Sequence, residues 1–441
     1  MSRHTPPAGP RSTALRSPFD REILGLAVPA LGALAADPLV SMVDTAFVGR
    51  LGVVPLGALG VNAAIFSMAF VGFNFLAYGT TPRVARAVGR GDRGLAGRLA
   101  VEALVVAGVA GLVTTAALLL LADPILALMG ATGELREPAL AYLRIRAWAG
   151  TAVLVIMASH GIFRGHQDTR TPLVVTLGLN GVNLILDPLL IFGLGWGLEG
   201  AAWATVAAQW CGALWFLSLL LGRRRDDLGL ALSLPSPREL LPFLRIGGEL
   251  VLRTFALIGT LTLATAIAAR LGSAAVAAHQ VATQLFLLLA LIVDALAVAA
   301  QAMVGKYRGA SAPSVVKAAS HRLLAWGGAV GLVLAVGFHL VSPLLPRIFT
   351  SDPATIAEVR AVLPLIVWMQ PLCALVFVWD GIYLGSERFR FLAGQMLLSS
   401  AVAACALLLV LPMGWELAGV WWAIVLLMVV RFVTLAIGHR T

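Results

Sequence analysis

The 441 residues carry little charge: Asp, Glu, Lys and Arg make up 12% of the chain, against about 25% in an ordinary globular domain. So few polar side chains cannot cover a soluble protein of this length, and a water-soluble fold is excluded. Cysteine is scarce as well. Cys211, Cys373 and Cys405 lie inside apolar stretches with no paired spacing, so they read as small core residues and not as a disulfide framework or a zinc site. Missing too are His-Glu-x-x-His, Gly-x-Ser-x-Gly and a phosphate-cradling glycine loop with its Lys; no enzyme, ATP hydrolysis, metal or other cofactor is indicated. The net charge of +10 does not point to nucleic acid, because the arginines form short clusters between apolar runs and no continuous basic face.

What fills the chain is 59% hydrophobic residues and 45 glycines, spread throughout as in a polytopic helical membrane protein, with the lipid bilayer as its solvent. Twelve spans are predicted, near 23–48, 55–78, 99–122, 139–163, 172–195, 199–221, 245–269, 275–303, 323–345, 355–379, 389–411 and 416–437. Residues 1–21, polar and rich in Pro and Arg, read as a disordered cytoplasmic tail. With that tail inside, 24 of the 32 Lys and Arg fall on the inner side, which sets both termini in the cytoplasm and the chain in the inner membrane.

The polar stretch 222–244 reads as a cytoplasmic linker between an N-terminal bundle (22–221) and a C-terminal bundle (245–441). The halves repeat. Gly161-Ile162-Phe163 returns as Gly381-Ile382-Tyr383, Arg50-Leu51-Gly52 as Arg270-Leu271-Gly272, and Trp148 as Trp368, each 220 residues on. Six spans per repeat keep the same sense of insertion, so the expected fold is all-α, with two six-helix bundles related by a pseudo-two-fold along the membrane normal.

Ionisable groups within a span are costly and are functional candidates by default. Asp37, Ser41 and Asp44 share one face of the first span, and Asn180, Asn183 and Asp187 one stripe of the fifth. Asp37-Pro38 and Asp187-Pro188 have a second reading as kink chemistry, and Pro29, Pro38 and Pro188 are candidate bending points. In the second half, Gln280, Gln284, Asp294 and Gln301 on the eighth span are secondary candidates. Asp294 reads equally as a structural hydrogen bond or as part of a pathway, and Glu249 and Arg253 are expected to pair at i, i+4.

The run Asp37-Pro38-Leu39-Val40-Ser41-Met42-Val43-Asp44-Thr45-Ala46-Phe47-Val48-Gly49-Arg50-Leu51-Gly52 resembles the multidrug and toxic compound extrusion (MATE) family, in its DinF-like branch. Asn183 to Pro188, Ala277-Ala278-His279-Gln280 and Asp294 to Gln301 support the resemblance. It implies export of cationic or amphipathic small organic compounds in exchange for H+ or Na+ by alternating access. Carried over by position, it gives Asp44, Asn183 and Asp187 as family site residues. Two carboxylates in one apolar bundle repel each other when both are ionised, which favours H+ as the coupling ion. A monomer is expected. The rival architectures are a major-facilitator transporter and a lipid-linked precursor flippase of the wider superfamily. For the first, Asp92-Arg93 lacks the flanking glycines of its loop motif; the second calls for arginines against diphosphate, where carboxylates and amides stand here.

Overall fold

An apolar segment with no water around its backbone must satisfy its own N–H and C=O groups, which a helix does within the segment. The computed structural model describes residues 17–230 and 235–440, and among these no strand occurs. The N-terminal half runs α1 (Pro18–Gly49), α2 (Val53–Val71), α3 (Phe75–Gly89), α4 (Arg93–Leu120), α5 (Ala122–Leu128), α6 (Arg136–Ala147), α7 (Gly150–Gly165), α8 (Arg170–Pro188) and α9 (Gly197–Ser218). The C-terminal half runs α10 (Pro237–Leu271), α11 (Ser273–Gly309), α12 (Pro313–Val341), α13 (Leu345–Phe349), α14 (Pro353–Trp368), α15 (Gln370–Gly385), α16 (Phe389–Met413) and α17 (Glu416–Arg440). Among the described residues ten helical runs are long and apolar enough to cross a bilayer, with α2 and α3 forming one of them. Counting α6/α7 and α14/α15 as bent spans, with bends of 48° and 50°, brings the total to twelve.

Some expected boundaries move. Ser17 caps α1, with its N–H donating to Asp20 at 2.8 Å, so residues 18–21 are helical and not part of a tail; residues 1–16 lie outside the described residues. Likewise Ser236 caps α10 through a 2.6 Å bond to Glu239, which makes 237–244, expected in the linker, the first turns of a helix. Of the three cysteines read as core residues only Cys373 is buried; Cys211 and Cys405 are exposed on the outside of the helices. Helix α1 continues through both prolines. Pro29 frees the Gly25 carbonyl, which accepts from the Thr169 hydroxyl at 3.4 Å. Pro188 closes α8, and the chain widens there into a π-helical turn over Leu189–Gly193.

The repeat is geometric as well as textual. Gly52 and Gly272 both hold φ near +120°, at +122° and +128°, a conformation that only glycine adopts without strain. Gln167 and Glu387, also 220 apart, both sit at positive φ, 61° and 57°. Where α3 crosses α11 the backbones touch. A methyl group on Gly89 would strike the Lys306 carbonyl, and one on Gly309 would strike that of Arg86. Exchanging the halves turns one contact into the other, as a two-fold axis through the crossing requires.

This crossing lies at the end of the molecule that carries Ser17 and the arginine-rich connections, here called the basic end. Further straps join the bundles there. Asp20 accepts from Arg322 at 2.6 and 2.8 Å and from Trp326 at 2.8 Å. Glu22 accepts from Lys306 at 2.9 Å and from the Tyr307 hydroxyl. Arg86 pairs with Glu387 at 2.8 Å, and Gln167 donates to the Ala302 carbonyl at 2.9 Å. Both positive-φ residues, Gln167 and Glu387, thus reach across to the other bundle.

Candidate coupling and substrate site

Within the N-terminal bundle α1, α2, α6, α7, α8 and α9 enclose a cavity of about 360 Å³. One wall is the polar face of α1, with Asp37, Ser41 and Asp44; the facing wall is the α8 stripe of Asn180 and Asn183. Helical periodicity alone explains the composition of each wall, since spacings of three, four and seven residues keep side chains on one face. Packing of α1 against α8 makes the two faces confront each other. Asn180 donates to Asp37 at 2.8 Å. Deeper in, Asp187 is fully buried and its carboxyl meets that of Asp44 within hydrogen-bonding reach. No N–H or O–H donor reaches Asp44 Oδ1 or either oxygen of Asp187, and the Asn183 amide nitrogen is also buried without an acceptor. Ser41 lines the cavity, and its carbonyl accepts from Thr45 at 2.8 Å.

One charged wall residue escaped sequence reasoning. Arg146, at the end of α6, lines the same cavity, lies close enough to Asp44 to attract it and stacks over Phe66 at 5.1 Å. It sits one turn before the bend between α6 and α7, and the signal for it was an arginine inside the predicted fourth span.

A second cavity, of about 280 Å³, lies between the bundles. Tyr78 of α3 faces Asp294 of α11 across it. Gln301 donates to the Tyr78 carbonyl at 2.6 Å. Gln280 and Gln284, higher on α11, are exposed and line neither cavity. The expected Glu249–Arg253 pair does not form: Glu249 lies 3.8 Å from Arg245, while Arg253 donates to Asp380 at 2.6 Å. Asp380 also holds Arg431, which is 1% exposed. Asp380 lies one residue beyond the predicted tenth span, 355–379, and Arg431 is a lone charge within the predicted twelfth.

Among the described residues no group of three or more His, Cys, Asp or Glu side chains is arranged to hold a metal ion. The MatE family model matches residues 29–189 and 251–413, one segment in each bundle. The Arabidopsis thaliana protein DETOXIFICATION 44, chloroplastic, is 34% identical over 95% of this chain and 82% of its own length. DNA damage-inducible protein F of Escherichia coli (strain K12) is 27% identical over 95% of this chain and 91% of its own. The crystal structure of MATE in the bent conformation superposes with a TM-score of 0.89 at 23% identity, covering 97% of this chain and 96% of that one. A multi-pass helical fold, a polar cavity in one of two repeated bundles and a family match in both halves lead to one conclusion: the chain belongs to the MATE family of multidrug and toxic compound efflux transporters.

Proposed function

We propose that the protein is a secondary active antiporter that exports amphipathic or cationic organic compounds in exchange for H+ by alternating access. The observation that carries this reading is the pair Asp44, on the cavity wall, and Asp187, buried beside it, facing each other with no donor from the rest of the protein. A proton placed between two such carboxyls supplies the donor that both lack and removes their mutual repulsion. Asp37, Asn180 and Asn183 complete the polar wall, and Arg146 balances part of its charge. Protonation then changes what the α1 face prefers to touch, and α1, softened at Pro29 and Pro38, is the element that bends in response. Pro188 and the π-helical turn after it give α8 a matching hinge.

The positive-inside bias supports a cytoplasmic position for the basic end and both termini, with the protein in the inner membrane. With that end inside, the straps that close it fit an outward-facing form. We take the working unit to be the monomer, since both bundles and both cavities belong to one chain. Sodium is the alternative coupling ion. Purified protein in vesicles decides between the two: substrate flux should follow an imposed pH gradient at fixed Na+, and flux that follows a Na+ gradient and ignores pH overturns proton coupling.

A further inference from the structure

We infer that the cavity between the bundles is a binding subsite for the anionic group of an organic substrate, such as a carboxylate on an apolar body. The charge count points there. Arg164, Arg253 and Arg431 converge on Asp294 and Asp380, three guanidiniums against two carboxylates in a buried cluster. Asp380 Oδ2 alone collects both Arg253 and Arg431. An uncompensated charge in such a place is costly and is relieved by an ion of opposite sign. The hydrogen bonding agrees: the Nε atoms of Arg253, Arg431 and Arg164 are buried without acceptors, and Arg253 and Arg431 line the cavity. A guanidinium matches a carboxylate with two parallel N–H bonds. Beside the arginines the lining turns apolar, with Leu257, Leu287 and Phe377, so the site offers a fork for the anion and a greasy wall for the body attached to it. Asp380 Oδ1, itself without a donor, faces any such anion unfavourably and weakens its binding.

The subsite is contacted from both bundles, through Tyr78 on one side and Arg253 on the other, so its occupant is sensitive to their relative position. The inference rests on the transport reading only in taking the cleft as the substrate's way in. Its test uses the full-length protein in lipid nanodiscs with no ion gradient and two probes sharing one ring system, 2-naphthoate and 2-naphthylmethylammonium. Naphthoate should bind at least tenfold more tightly than the cation. Arg253→Gln should remove that advantage without weakening the cation's binding, and Arg253→Lys, keeping the charge without the fork, should fall between. Asp380→Asn should tighten naphthoate binding, which a merely structural role for the cluster would not produce. Equal or reversed preference in the unmodified protein, or an Arg253→Gln variant that still binds naphthoate as before, overturns the inference. Because no gradient is applied, these outcomes are independent of proton coupling: protein that binds naphthoate but ignores a pH gradient in flux assays contradicts the antiport reading and leaves the subsite standing.

Discussion

At the scale of single residues, the glycines at helix crossings set how closely the helices approach. A methyl group at Gly381 would strike the backbone of Ala297, which cannot move without displacing α11. At Gly161, the equivalent position, it would meet Thr80 Cβ at 2.9 Å and the Ala77 carbonyl at 3.0 Å. Gly381→Ala should therefore cost about 1–3 kcal/mol, the range seen for overpacked cores, and Gly161→Ala less. Thermal unfolding of the purified variants, followed by the loss of the monodisperse peak in size-exclusion chromatography, should rank Gly381→Ala below Gly161→Ala. The polar walls were legible at this scale because helical spacing alone lines up Asp37, Ser41 and Asp44, and Asn180, Asn183 and Asp187. Asp380 and Arg431 were not legible, since each is a lone charge at or near the end of an apolar run. Only the fold shows that the two meet.

Among the elements, most spans could be read from hydropathy, and landmarks that share the 220-residue offset lie at their breaks, which only the structure shows. Trp148 and Trp368 stand where the fourth span of each bundle bends, and Gly52 and Gly272 open α2 and α11 at the same positive φ. The extent of α10 toward Pro237 was hidden, because three prolines in 235–242 mark a linker in sequence yet Pro237 is well placed in the first turn of a helix. The straps between α1 and the C-terminal bundle could not be read at all, since they join residues some 300 positions apart. They carry a conformational prediction. The pairs Asp20–Arg322 and Glu22–Lys306 are partly solvated, so each is worth up to about 1 kcal/mol, and removing both should raise the fraction open at the basic end on the order of tenfold. Spin labels at positions 94 and 312, one in each bundle, should report a larger long-distance population in the Arg322→Ala, Lys306→Ala double variant. An unchanged distance distribution would mean that the straps do not hold this end shut.

For the whole molecule, the two-bundle architecture follows from composition, span count and repeat, whereas the proposed division of labour between the bundles is argued from where the repeat fails. Asp44 and Asp187 correspond at an offset of 220 to Ala264 and Leu407, both fully buried and apolar, so the second bundle has no counterpart of the carboxyl pair. Orientation is a separate claim with its own test: in a cysteine-free background, an impermeant thiol reagent added outside should label a Cys at Thr132 or Ser351 and spare one at Gly94 or Ala312, and the reverse pattern would invert the topology. The central claim, that coupling resides in the N-terminal bundle, is tested most directly by proton-driven export from vesicles containing equal amounts of Asp44→Asn, Asp187→Asn, Asp294→Asn and unmodified protein. Asn preserves size and most hydrogen bonding but cannot take up a proton, so Asp44→Asn and Asp187→Asn should insert normally and lose nearly all gradient-driven flux, while Asp294→Asn retains much of it. Full export by the first two with loss in Asp294→Asn would contradict the account and move the coupling site to the cleft between the bundles.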